Sequence, residues 1–522
     1  MVPDRRSCCS AELKGLFPML DIRLEDPAVA GQTLQQQLHQ GLVDAILEGR
    51  LPSHEPLPST RDLASALKVS RNTVVLVYQR LLDDGYLTAV WRRGHFVNEQ
   101  YIRQQLRLSV DTRTASLFSK ERDPDLWRRH LQFRPSEARN IVKPANWRDF
   151  PFPFIYGQVA PDKTTIARWR DSMRLAGSLA HSQSWVGDQV DMDDPQLLEQ
   201  IITRILPHRG LRAHPEQLLI TIGAQNALFL VGQLLAGRGR TVGVEDPGYV
   251  DARNIFASTG ADICALPIDS EGLANSAVLA DCDMVYTTPS HQCPTSVTMS
   301  LDRRLQLVER ARKDDFILVE DDYEHELNYL GHQRAALKSY DNSGHIIYIG
   351  SLTKLMFPGL RIGYILADSE LIKELRALRR LNYRHPSAQD QRAMALFIGE
   401  GHLDAHLRRT RDRLSEKWQL MQNEIARQLP ELHVTPTTGG SAVWITLPGD
   451  MDAWAVHREA AKRGVLVEPG DVHYCDADSA PRNRLRLGFA VIERDQIAPG
   501  ISQLRDAIMA IMAENRKGTA AE

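Results

Sequence analysis

The stretch Ser351-Leu352-Thr353-Lys354-Leu355-Met356-Phe357-Pro358-Gly359-Leu360-Arg361-Ile362-Gly363-Tyr364 decides how the rest of the chain is read. An apolar run from His345 to Ile349 precedes it and another, Ile362 to Leu366, follows, so buried strands are expected on both sides. Between them stand one lysine among small hydroxyls, a Pro-Gly turn and one arginine. A lysine amine in a partly desolvated pocket near other cations loses its proton readily and can form a Schiff base with a carbonyl. Hydroxyls at Ser351 and Thr353, with the guanidinium of Arg361, suit a phosphate dianion. A lone Ser-x-x-Lys would be an ordinary solvated loop; the full order is far more restrictive.

That order, Ser, Thr-Lys, Pro-Gly, Arg-x-Gly-Tyr, resembles the lysine motif of fold-type I aminotransferases. The resemblance implies pyridoxal 5′-phosphate (PLP) bound to Lys354. Upstream of it, apolar runs of strand length at 218–222, 241–245, 262–266, 283–287, 316–320 and 345–349 alternate with helical stretches at 224–236, 248–258, 301–313 and 370–381. This alternation predicts an α/β domain over residues 151–515, with a mostly parallel sheet covered by helices on both faces. Ligands of such sheets bind beyond the carboxyl ends of the strands, where the chemically suggestive residues fall.

Ile222-Gly223-Ala224-Gln225 is one such end: glycine permits close approach and a helix N-terminus offers N–H groups to an anion. Beside Lys354 it resembles the phosphate cup of that family, at Gly223, Ala224 and Gln225. Tyr249, after Glu245-Asp246-Pro247-Gly248, is expected to stack on the pyridine ring. Glu320-Asp321-Asp322-Tyr323 offers three carboxylates and a phenol. A buried carboxylate keeps the pyridine nitrogen protonated, as an electron sink requires. The resemblance assigns that role to Asp321, with Asp322 as the alternative, and the ring O3′ contact to Tyr323. Arg486, in Arg484-Leu485-Arg486-Leu487-Gly488, holds the place of the carboxylate-binding arginine, here taken to bind an effector.

Two departures stand out. Pro289-Ser290-His291-Gln292-Cys293-Pro294 places Cys293 where enzymes of the fold carry an asparagine, and a thiol lacks the amide's donor geometry. That argues against efficient transamination. Trp185 replaces a usual tyrosine, with Asp193 and Asp194 near a usual glycine.

Residues 30–98 follow a different plan. Leu34, Leu38, Leu42, Val43, Ile46 and Leu47 recur at helical spacing, and Gly49 marks a stop. Ser59 and Thr60 precede a short second helix from Arg61 to Leu67; Ser70-Arg71-Asn72-Thr73 starts a third, with Val74, Val77, Leu81 and Leu82 inward; Trp91-Arg92-Arg93-Gly94 joins two short strands. This is a winged helix-turn-helix plan, whose third helix enters the major groove. From 59 to 98 there are six Lys/Arg against three Asp, a modest local basic excess in a chain of net charge −3. Leu57-Pro58-Ser59-x-Arg61 and Val69-Ser70-Arg71-Asn72-Thr73-Val74 resemble the GntR family. By position they imply contacts to double-stranded DNA from Arg61, Ser70, Arg71, Asn72 and Thr73, with Arg93 and His95 weaker.

Residues 99–150 read as a linker with one short helix; from 101 to 150 eleven Lys/Arg stand against six Asp/Glu. The six cysteines form neither a zinc-type C-x-x-C pair nor a dense framework, so reduced thiols in a cytoplasmic protein are expected, with no metal. No stretch suits a bilayer span. Over about 450 residues the chain resembles the MocR subfamily of GntR regulators. The resemblance implies a head-to-tail homodimer sensing a small amino compound through an external aldimine. A working class I/II-type aminotransferase carrying a DNA-binding domain is the alternative. Tyr156-Gly157-Gln158 also resembles regulators of ectoine- and taurine-type catabolism.

Overall fold

Helix caps lay out the N-terminal unit. In the computed structural model, which describes residues 22, 24–25, 31–101, 123, 125–155, 161–330, 334–354 and 356–519, Thr33 caps α1 (Leu34–Leu47) through a capping box with Gln36. Ser59 caps α2 (Thr60–Leu67), its hydroxyl accepting from the Asp62 N–H. Ser70 caps α3 (Arg71–Asp83) in the same way, accepting from Thr73 N–H at 3.1 Å. Strands β1 (Leu87–Val90) and β2 (Gly94–Val97) pair antiparallel as the wing. Leu38, Leu42, Leu63, Val74, Val77 and Leu81 form the core, and Tyr78 is buried with them while Leu82 is only half-buried. The Tyr78 hydroxyl donates to the Pro58 carbonyl at 2.9 Å, pinning α3 to the start of α2.

The chain divides into two compact units, one ending at Leu131 and the other beginning at Gln132. The expected linker over 99–150 therefore needs correction at its C-terminal side. Arg139 donates to the Asp471 and Tyr474 carbonyls, and Asn140 to the Asp251 carboxylate at 2.9 Å, so this part is a strap on the large unit. Its few polar residues dock by hydrogen bonds, which apolar periodicity does not register. Residues 102–122 and Tyr156-Gly157-Gln158 lie outside the described residues.

The large unit is built on β3 (Leu218–Thr221), β4 (Thr241–Asp246), β5 (Asp262–Asp269), β6 (Gly272–Leu273), β7 (Met284–Thr287), β8 (Ile317–Asp321), β9 (Ile346–Ser351) and β10 (Gly363–Leu366). They form one sheet in the order β3-β10-β9-β8-β7-β4-β5-β6. Pairs from β9 through β5 are parallel, whereas β10 runs antiparallel to both neighbours. The motif between β9 and β10 is thus a tight reversal rather than a crossover, and it returns the chain beside its own start. Helices α4 (Gly223–Leu235), α5 (Val250–Ser258), α6 (Leu301–Asp314) and α7 (Ser369–Tyr383) cover the sheet. Apolar clusters pack on both faces, as a parallel sheet requires. After α8 (Ala388–Gly399) and the long α9 (His402–Gln428), a second sheet follows. Its order is β11 (His433–Val434), β12 (Ala442–Thr446), β14 (Arg484–Gly488), β13 (Glu468–Pro469), packed against α10 (Ala453–Lys462) and α11 (Arg494–Thr519). Among the described residues no helix is long and apolar enough to cross a membrane, and no group of side chains could hold a metal ion.

Candidate functional site

A cavity of about 420 Å³ opens at the carboxyl ends of β3, β4, β8 and β9. Ten of its lining residues are those the motifs single out for cofactor binding: Gly223, Ala224, Gln225, Tyr249, Asp321, Tyr323, Ser351, Thr353, Lys354 and Arg361. Arg486 of β14 lines it as well. Residues separated by more than 250 positions are brought together because the sheet aligns its strand ends.

The anion end begins at α4. Gly223 has φ +75°, and a Cβ there would meet the Arg361 guanidinium at 3.2 Å, so glycine is required on two counts. Ile222, at the N-cap, offers no side-chain cap, and the first residues of the helix, Gly223, Ala224 and Gln225, line the cavity. Thr353 is more structural than its motif suggests. Its hydroxyl accepts from Ile362 N–H at 3.3 Å and donates back to the Ile362 carbonyl at 3.4 Å, closing the reversal around Lys354. Lys354 Nζ stands 3.9 Å from Glu324 Oε1 and 5.3 Å from the Tyr323 ring centroid.

Strand alternation sorts the acidic run. Successive side chains point to opposite faces, so Glu320 and Asp322 turn from the cavity that Asp321 enters. Glu320 accepts from the Leu337 and Lys338 N–H groups. Asp322 is held by Arg209 (Nε to Oδ2, 2.6 Å), Ser290 and Tyr348, and although burial opposes ionisation, the Arg209 charge keeps its carboxyl well below the usual range. Asp322 therefore has no part to offer a ligand, which removes it as the alternative to Asp321. Asp321 Oδ2 accepts from the Tyr286 hydroxyl at 2.9 Å, while its Oδ1 is buried without a hydrogen-bond partner. Burial pushes this carboxyl up to about 6, against the Tyr286 hydrogen bond and the Lys354 charge. An orphaned buried carboxylate oxygen lining a cavity fits a ligand N–H donor, and the pyridine nitrogen of PLP is such a group.

Cys293 also lines the cavity, and burial pushes its thiol up to about 12, so it stays protonated. The surrounding motif is scaffold. Gln292 donates to Glu245 Oε2 and the Pro247 carbonyl, and Glu245 collects the hydroxyls of Thr287 and Thr288 at 2.6 Å each. Asp193 pairs with Arg376 and Arg379, Asp194 with Arg392, and the Trp185 indole donates to the Ala176 carbonyl, so these too are structural within this chain.

Sequence reasoning missed Asn140, Lys143, Glu468 and His473, all lining the cavity. Glu468 is the partner of Arg486, Nη1 to Oε2 at 2.7 Å. Burial opposes the Arg486 charge, but Glu468 outweighs it and holds the guanidinium protonated. Tyr249 donates to Asp251 Oδ2 at 3.1 Å, and Asp251 Oδ1 accepts from Asn140, so the expected ring-stacking tyrosine is wired to the strap.

In the other unit, Arg61, Ser70, Arg71 and Asn72 are exposed, with Thr73 half-buried, around the N-terminal ends of α2 and α3. The Ser70 and Thr73 hydroxyls share a 2.8 Å hydrogen bond. Trp91 is 85% exposed at the tip of the wing, while His95 packs edge-on against Tyr78.

Fold and site together define a winged-helix unit joined to an aminotransferase-like unit. Residues 34–97 match the model of bacterial regulatory proteins of the gntR family, and residues 159–504 match aminotransferase class I and II. The chain is 36% identical to the HTH-type transcriptional regulator TauR of Rhodobacter capsulatus, over 92% of this chain and 98% of that one. It is 29% identical to the probable rhizopine catabolism regulatory protein MocR of Rhizobium meliloti, over 92% and 94%. Its fold is similar to that of a kynurenine aminotransferase of Pyrococcus horikoshii, solved with PMP, at TM-score 0.66 and 26% identity over 74% of this chain and 98% of that one. The chain belongs to the MocR-type transcriptional regulators of the GntR family.

Proposed function

We propose that the protein is a PLP-dependent DNA-binding regulator that senses a small amino compound. The observation that carries this reading is the meeting, in one cavity, of the Lys354 amine, the Asp321 carboxylate with its orphaned Oδ1, and Arg361 beside the N-terminus of α4. Gly223, Ala224, Gln225, Ser351, Thr353 and Arg361 would hold the phosphate, Tyr249 the ring face, Asp321 the pyridine nitrogen and Tyr323 the ring oxygen. When bound, PLP supplies an aldehyde that condenses with a primary amine, that of Lys354 at rest or that of the effector.

The chain's own residues do the rest. Asp321 would keep a proton on the pyridine nitrogen through its buried negative charge. Burial holds the Tyr323 phenol protonated, so it keeps an O–H to donate. Glu324 stands 3.9 Å from the Lys354 amine, where its carboxylate would stabilise that group as an ammonium. Arg486 and Glu468 line the same cavity and would meet the effector's other end.

Arg61, Ser70, Arg71, Asn72 and Thr73 would contact operator DNA, the hydroxyls and N–H groups reaching phosphates and Arg71 a base edge. The working form is a homodimer, head-to-tail as in the family, in the cytoplasm where the DNA is. Coupling runs from Tyr249 through Asp251 to Asn140 on the strap, which is continuous in sequence with the connection to the winged helix. Allosteric couplings are usually about 1–3 kcal/mol and reciprocal. The test titrates amino compounds against the cofactor absorption band, with and without operator DNA. Operator should shift effector affinity about 5- to 150-fold; identical dissociation constants would remove the regulatory mechanism and favour the enzyme alternative.

A further inference from the structure

One wall of the cavity holds an ion pair that no motif requires. Glu468 and Arg486 are direct partners across β13 and β14, the two neighbouring antiparallel strands. Arg486 Nη1 donates to Glu468 Oε2 at 2.7 Å, and both side chains are only 10% exposed. The ladder register sets these two residues directly opposite each other on one face of the sheet, within reach of a side-chain pair. Any ligand group arriving at Arg486 therefore meets a guanidinium whose charge is already matched, with a carboxylate at its side.

We infer that Glu468 is the specificity-determining residue of this pocket: it withholds Arg486 from α-amino carboxylates and favours primary amines whose second group is uncharged or a hydrogen-bond donor. The inference rests on the proposed reading of the cavity as an effector site. A carboxylate brought to Arg486 would lie beside the Glu468 carboxylate on a wall from which water is largely excluded, where like charges repel strongly. Lys143 also lines the cavity, where burial opposes its ammonium form and the Glu468 charge favours it. Lys143 Nζ sits 3.7 Å from the Trp147 ring centroid, and burial lowers its pKa. His473 adds no charge, because burial holds it at about 3. Its Nδ1 donates to the Gly248 carbonyl at 3.0 Å, which leaves the buried Nε2 as an acceptor with no partner. A carboxylate and a bare imidazole nitrogen both call for a donor, and an α-carboxylate offers none.

The test uses Glu468→Gln, which keeps size and an acceptor oxygen but removes the charge. Full-length protein incubated with PLP is titrated with L-alanine and with ethanolamine, following the cofactor absorption band. The ratio of the two dissociation constants (alanine over ethanolamine) should fall about tenfold or more in Glu468→Gln, the lower end of coupling between close charges. Glu468→Asp, which keeps the charge, should leave the ratio near the wild-type value and controls for folding. An unchanged ratio in a yellow Glu468→Gln protein overturns the inference and leaves the cofactor reading standing. A protein that stays colourless with PLP overturns the cofactor reading instead. The inference is then judged by calorimetry with acetate, which must bind Glu468→Gln about tenfold more tightly than wild type; equal binding overturns it.

Discussion

Replacing Asp321 by Asn should move two measurements in opposite directions. In the protein without cofactor, burial raises the Asp321 carboxyl from its ordinary 3.8 to about 6. A folded-state pKa above the unfolded one means stability that is full below pH 3.8 and is lost as pH rises through about 6. Two pKa units correspond to about 3 kcal/mol, an upper bound on what Asn recovers at pH 7.5, since its amide must also find a partner. Asp321→Asn should therefore be more stable than wild type in urea at pH 7.5, and the difference should vanish towards pH 4. Cofactor affinity should fall, because a buried hydrogen bond to a charged group contributes about 1.5–3 kcal/mol, or roughly 10- to 150-fold in dissociation constant. Urea melts at several pH values and a PLP absorbance titration read the two arms. A variant that binds PLP as tightly as wild type would refute the placement of the pyridine nitrogen at Oδ1.

Arg71→Ala should cost roughly 1–3 kcal/mol of operator affinity in gel shifts at fixed salt, with the cofactor band unchanged. Unchanged operator affinity would exclude Arg71 as a base contact. Arg209→Leu leaves the buried Asp322 carboxylate without its guanidinium partner, so the large unit should lose about 3–5 kcal/mol of stability in a denaturant melt. Gly223→Ala places a methyl group against Arg361 at φ +75°, so PLP binding should weaken by tenfold or more, roughly the effect of about 1–2 kcal/mol of backbone strain plus the contact. Equal PLP titrations for Gly223→Ala and wild type would show that this turn does not cradle the phosphate.

Much of this protein was legible along the chain because its signals are local. Serines at 59 and 70 cap helices through their own neighbours' N–H groups. The apolar runs became β3, β4, β5, β7, β8 and β9 within a few residues of where periodicity placed them. The lysine motif carried its own geometry, since Pro358 and Gly359 turn the chain and Thr353 ties the turn back to Ile362. Asp321 could be picked from its acidic neighbours only by resemblance. Alternation along β8 supplies the physical reason, but which face met the cavity depended on the sheet.

Tertiary structure alone decided the partners. Arg209 reaches Asp322 across 113 positions, and Tyr286 reaches Asp321 across 35. Glu468 faces Arg486 because two strands of the second sheet fell into one register. The strap at 139–143 looked like linker because it buries little apolar surface, and hydrogen bonds to carbonyls and to Asp251 fasten it. Charge pairing and side chain–carbonyl bonding have no period in sequence. They appear only when the backbone has brought distant groups within about 3 Å of each other, out of reach of water.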